Sequence, residues 1–268
     1  MSEPLLAMAT VMYLGSMLWV VRQLRLRRGH AAAGFWGMVG AFLLHTLALL
    51  QFTAGLGHVP LTTLRELLLL TGWATALLFL LLQPTLKMPL LGVFAVPLIF
   101  LLSVLSLVTP PPSGQRPELP VSPLLKLHVP FLVVAYVAFG VSCVVGIMYL
   151  LQERELKSHR PRPVFHLLPA LELMERLHFG LVLAGFALLT VGLIGGVALY
   201  HQLHGSWLVP DIKFTLSLLV WFGYGAMLVA RAGLALRGRR VVWMGTATFM
   251  LLLVTFWAAN LWSSAHRY

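Results

Sequence analysis

Ten histidines against only eight carboxylates leave imidazole as the chief reactive group of this 268-residue chain. Imidazole titrates near neutrality and is the commonest protein metal ligand. The ten sort by their place relative to eight long apolar runs. His30, His159, His166 and His178 fall in or beside connections on one side. His58, His128, His201, His204 and His266 fall on the other, and His45 alone is mid-run. Two imidazoles on one iron bring their nitrogens to about 4 Å apart, twice an ordinary metal–nitrogen bond. Only histidines at one depth meet that condition. His45 and His178 differ by roughly 15 Å in depth at 1.5 Å rise per residue, which excludes them as a pair. His128 opens the fifth run and His266 follows the eighth, so these two share a level. Taken singly, an outer histidine reads more simply as a solvated interfacial side chain, and His45 as a hydrogen-bonding group between packed helices. His201 and His204 suit one helix face, but Gly205 follows and signals a loop. The carboxylates, among them Glu66 and Asp211, avoid the middle of every run. The lone Cys143 forms no internal disulfide, and without a Cys-x-x-Cys-His segment the chain attaches no c-type haem to itself.

The elements that position these groups follow from composition. Hydrophobic residues make up 59% of the chain and charged residues 10%, with a mean hydropathy of +0.90. A soluble domain carries about 25% charged residues, so a soluble globular enzyme is excluded. A bilayer core needs about 20 apolar residues per helix. Eight runs qualify, at 4–23, 34–54, 63–83, 89–108, 129–151, 178–200, 214–232 and 241–261. None alternates as a barrel strand does. The expected fold is all-α: a polytopic membrane helical bundle of eight spans forming one domain over 1–268.

The net charge of +11 is not read as nucleic-acid binding, because the basic residues are scattered over short connections. It reports orientation instead. Fourteen of the nineteen Lys and Arg residues lie on one side, including Arg22, Arg25, Arg154, Lys157, Arg231 and Arg237 through to Arg240. Arg65, Arg116, Lys126, Lys213 and Arg267 lie on the other. The first side is therefore cytoplasmic and both termini are outside. The first run is preceded by Glu3 and followed by arginines, the reverse of a signal peptide, and is expected to be retained. The outer connection from Thr109 to Leu127 holds six prolines, which give a stiff extended loop. Gly192, Gly195 and Gly196 in the sixth run imply close helix packing. The tryptophans suit interfacial belts, except Trp207, which falls in an outer loop.

Several segments, in order along the chain, resemble membrane proteins of cytochrome c assembly. They are Gly57-His58-Val59-Pro60-Leu61 with Glu66-Leu67; His128 with Ala135-Tyr136; Leu168-Pro169-Ala170-Leu171-Glu172 with Gly185-Phe186; Asp211-x-Lys213 with Trp221, Tyr224 and Arg231; and Asn260 with His266. The resemblance is to the CcsA-like proteins, and within them to the short HemX- and YpjD-like branch. It implies a multi-pass protein of the bacterial inner membrane with periplasmic termini. It also implies that His128 and His266 are the external haem ligands, flanking a tryptophan-rich loop. In this chain that loop reads His204-Gly205-Ser206-Trp207-Leu208-Val209-Pro210-Asp211-Ile212-Lys213 and keeps a single tryptophan. Val229 stands where the family has a membrane-embedded histidine.

The function these residues imply is haem handling without bond-making catalysis. Haem b is held transiently by His128 and His266, Trp207 covers the ring, and Lys213, Lys126 or Arg65 meets the propionates. Asp211, His58, Glu66 and His45 complete the candidate set. Glu66 orients His58 or pins the outer surface, and His45 belongs to a route through the membrane. The expected partners are the membrane, haem, and proteins of cytochrome c maturation or haem biosynthesis, with no nucleic acid. The alternative is a membrane regulator of tetrapyrrole synthesis or a small-solute transporter without haem. Proton-coupled transport favours ionisable groups inside spans, and only His45 qualifies.

Overall fold

The structure is a computed structural model that describes residues 2–26, 31–56, 63–86, 91–110, 123–158, 168–234 and 236–265. All regular structure among these residues is helical: α1 (Ser2–Arg25), α2 (Ala31–Leu56), α3 (Leu64–Leu86), α4 (Leu91–Val108), α5 (Pro123–Lys157), α6 (Leu171–His204), α7 (Ile212–Gly233) and α8 (Arg239–Ala265). Each apolar run read from the sequence coincides with one helix. The first seven are long and apolar enough to cross a membrane. The chain is a polytopic helical membrane protein.

Helices dominate because lipid offers no hydrogen bonds to an open backbone. The hydroxyls obey the same rule. Thr10, Ser16, Thr46, Thr53, Thr75, Thr190 and Thr248 each donate to the carbonyl four residues earlier in their own helix. Two helices exceed their apolar runs by far the most. α5 has 35 residues and α6 has 34. The extra turns carry Glu153, Arg154, Glu155, Glu172, Glu175 and Arg176, good helix formers that continue a helix into water but fall outside a hydropathy count. His178 therefore lies two turns inside α6, where it is fully buried.

The chain divides into two compact units, Met1–Arg116 with Arg154–Pro169, and Pro117–Glu153 with Ala170–Tyr268. In the first unit α1 packs on α2 and α4, and α3 on α2 and α4, closing a ring of four helices. Ala9, Ala41, Ala48 and Ala76 are fully buried and let the backbones approach. Gly37 does the same, since a Cβ there would stand 2.4 Å from Ser16 Oγ. In the second unit α5 is the most enclosed helix. Its Phe139 stacks on Tyr224 of α7, with ring centres 3.9 Å apart, and lies over Gly185 of α6. Gly146 of α5 meets Thr246 of α8. At the opposite end of α5 from His128, Arg231 of α7 pairs with Glu175 of α6 at 2.6 Å and lies over the Phe179 ring at 4.1 Å. Arg239 of α8 approaches Glu153 of α5 at 3.8 Å.

Candidate functional site

Two glycine-bearing turns of α6 make the seat of His128. The ring lies on α6 with Nδ1 2.6 Å from the Gly192 carbonyl oxygen. A carbonyl only accepts, so Nδ1 carries the proton and donates it. In the neutral ring Nε2 then holds a free lone pair. No hydrogen bond reaches Nε2 among the described residues. A Cβ at Gly196 would stand 2.8 Å from His128 Cε1 and 3.3 Å from Nδ1, and one at Gly195 3.6 Å from His128 Cβ. Gly192 takes Leu132, whose Cδ2 would be 2.5 Å from an added Cβ. The spacing 192, 195, 196 puts all three on one helix face. The close packing expected of this glycine run is there, and its partner is the candidate ligand.

The far end of α6 brings together more of the expected residues. Gly205 adopts the left-handed conformation (φ 70°), which glycine tolerates without a Cβ penalty, and its N–H returns to the His201 carbonyl at 2.8 Å. That reversal folds Trp207 onto His201, ring to ring at 3.8 Å and 10°. His204 stacks instead on Tyr200 at 4.3 Å. Trp207 remains 65% exposed. Asp211 caps α7, its carboxylate accepting from the Lys213 backbone N–H at 2.7 Å. That leaves the Lys213 side chain exposed at the first turn of α7. Trp221, assigned to an interfacial belt from sequence, donates its indole N–H to Thr190 at 2.9 Å and stacks on Phe186.

The remaining candidates distribute as follows. His58 and His266 lie outside the described residues; α8 is described through Ala265. His45 and Glu66 are in the first unit and both are fully buried. Glu66 is therefore not a solvated helix start. His45 meets Tyr13 edge-on at 6.2 Å and packs against Gly72. In the second unit, His178 Nδ1 lies 2.9 Å from both the Ser142 carbonyl and its hydroxyl oxygen, and that hydroxyl donates to the His178 carbonyl at 3.0 Å. A Cβ at Gly245 would stand only 2.4 Å from His178 Nε2, so this ring is sealed in by backbone. Nothing in the sequence near Ser142 signals that pair. Among the described residues no three His, Cys, Asp or Glu side chains are grouped to hold a metal. Val229, at the place of the family's embedded histidine, is 66% exposed.

Comparison with known proteins decides the family. A family model described as cytochrome c assembly protein matches residues 61–266. The chain belongs to the cytochrome c assembly protein family. Relatives include the cytochrome c biogenesis protein CcsA of Prochlorococcus marinus strain MIT 9303, 28% identical over 82% of this chain and 80% of the relative. The protein HemX of Brevibacillus brevis is 28% identical over 75% and 74%. A 28.8 kDa protein from the nifR3-like 5′ region of Azospirillum brasilense is 32% identical over 49% of each chain. This chain spans about half the length of that last relative. The matched stretch of the cytochrome c assembly family contains His128 and its glycine seat.

Proposed function

We propose that this protein takes transient custody of haem b at one face of the membrane and passes it on in cytochrome c assembly or haem trafficking. His128 and His266 would be the axial ligands. The observation that carries the reading is the pinned ring of His128. Metal-ligating histidines characteristically donate their second nitrogen to a carbonyl or carboxylate, which fixes the tautomer and aims the ligating lone pair. The Gly192 carbonyl does this to Nδ1, and the residues present fit a haem ligand on that ground.

Register supports the second ligand. Thr246 of α8 stands beside Gly146 of α5. Eighteen residues back along α5 is His128, and eighteen onward along antiparallel α8 is Ser264. At 1.5 Å per residue the last described turn of α8 is then level with His128, and His266 is the residue that follows Ala265 in the chain. The name of the CcsA relative, a cytochrome c biogenesis protein, agrees with the proposed role. When bound, haem supplies an iron whose poise and release are set by its axial ligands. The chain's own residues hold and orient. The open face of Trp207 covers an apolar ring, and Lys213 meets a carboxylate by a charge-assisted contact. Asp211 fixes the turn that presents both. No bond of the cargo is made or broken, so this is a scaffold and not an enzyme. The receiving partners are cytochrome c maturation or haem-biosynthesis proteins of the same membrane, taken here as the bacterial inner membrane with both termini periplasmic.

The test is the visible spectrum of the full chain purified in mild detergent and titrated with haemin. A low-spin bis-histidine spectrum is expected. It should be lost in His128→Ala and in His266→Ala and restored in part by free imidazole. A colourless wild type that gains no Soret band with haemin overturns the reading in favour of a regulator or transporter.

A further inference from the structure

In the first unit, four helix ends surround a small cavity of about 10 Å³, room for about one water molecule. Its wall is Leu6 of α1, Ala48 and Phe52 of α2, Arg65 and Leu69 of α3 and Ser106 of α4, with Glu3 at the mouth. The wall is apolar apart from the Arg65 guanidinium and the Ser106 hydroxyl, and that hydroxyl is engaged in donating to the Arg65 carbonyl at 3.0 Å. Arg65 is 9% exposed. Its side chain is met by the Glu3 carboxylate at 2.5 Å and flanked by the Phe52 ring at 5.9 Å. Glu66 is not part of the wall.

The two partners of this ion pair are unlike. Arg65 is fixed by the helices around it, whereas the Glu3 side chain is 62% exposed and sits in the first turn of the first helix. A buried guanidinium needs an anion, because removing its partner leaves an uncompensated charge in a weakly polarisable wall. An exposed side chain gains little from the pairing. The pair therefore consists of a fixed cation and an exchangeable carboxylate. The room left beside them is too small for a second anion, so any other carboxylate must displace that of Glu3.

We infer that Arg65 is a binding site for a carboxylate carried on an apolar body, and that Glu3 is its built-in competitor. The planar guanidinium fork suits a carboxylate bidentately. The apolar body would lie at the mouth, beside the partly buried Phe52, because Leu6, Ala48 and Leu69 pack on one another as core and leave no room for it behind the guanidinium. Two sources share this chemistry: a fatty acid of the bilayer and the propionate of a porphyrin. The inference uses residues of the first unit only and does not depend on axial ligation by His128.

The experiment uses the full chain in a neutral maltoside detergent and reads thermal stability against added ligand. Oleate is compared with methyl oleate, and metal-free protoporphyrin IX with its dimethyl ester. Protoporphyrin lacks iron, so a failure of the histidine reading leaves the result unaffected. Glu3→Ala removes both the competing charge and its bulk. It should be stabilised by at least one of the two acids at about tenfold lower concentration than wild type, and by neither ester. Response to oleate alone assigns a fatty acid; response to protoporphyrin alone assigns a porphyrin carboxylate. Adding Arg65→Gln to Glu3→Ala should abolish the response. Glu3→Gln keeps the side-chain volume, tests the charge alone, and serves if Glu3→Ala yields no folded protein. The inference is overturned if the Glu3 variants respond no better than wild type, if acid and ester act alike, or if the Arg65→Gln double variant still responds.

Discussion

At the scale of single residues, the proton on His128 Nδ1 is the feature on which the proposed ligation turns. The Gly192 carbonyl is main chain and cannot be deleted, but the ring's seat can be filled. Gly196→Val puts a branched side chain where even a Cβ would stand 2.8 Å from Cε1. The ring must then tilt off α6. Losing such an orienting contact typically costs 10–100-fold in metal affinity. We expect haemin affinity to fall by about tenfold or more in Gly196→Val, with helical content by circular dichroism unchanged. Gly180, whose Cβ would meet nothing within 4 Å, is the control: Gly180→Ala should leave haemin affinity as it is. The sequence exposed this site in part. His128 stood out by depth and resemblance, and Gly192, Gly195 and Gly196 by their shared face. That they serve one another was not legible, because a contact 64 residues apart has no local signature. The burial of Glu66 was not legible for a related reason, since a carboxylate in a first helical turn looks solvated until the neighbouring helices cover it.

At the scale of elements, polar tethers fix the ends of the helices of the second unit. Arg231 and Glu175 are 20% and 16% exposed. Breaking a fully buried pair from one side costs about 3–5 kcal/mol, and partial solvation here reduces that to about 2–3 kcal/mol. Arg231→Ala should lower the thermal midpoint in detergent by several degrees, and Glu175→Gln on that background should recover part of the loss. A drop no larger than that of the exposed Arg176→Ala would show that the pair ties nothing. At the other end of α7, Asp211→Ala removes an N-cap, worth about 1 kcal/mol. It should also loosen the Trp207–Lys213 turn, so haemin binding should weaken while Asp211→Asn restores it. Helix positions were readable because twenty apolar residues in a row admit few other structures. Helix ends were not. The extra turns of α5 and α6 are polar, and only packing shows that they stay helical.

At the scale of the molecule, basic residues predict one orientation. Fourteen of nineteen lie on a single side, which the positive-inside bias assigns to the cytoplasm. Alkaline phosphatase fused after Tyr268 should be active in a bacterial host, and the same reporter fused after Arg237 should be inactive. The reverse pattern would place the His128 face in the cytoplasm and contradict periplasmic haem custody. The number of helices and their order were legible throughout. Their grouping into two compact units was not, because every run is similarly apolar and nothing in the connections marks a boundary.

The enclosed position of α5 also bears on biosynthesis. It leaves the ribosome before the three helices that wrap it, and the 111 residues that follow Lys157 take roughly 5–20 s to make at ordinary translation rates. During that interval a helix shaped to be covered by protein on most sides has only lipid or the insertion machinery to shield it. Quality-control proteases and insertase chaperones should meet the nascent chain at this stage.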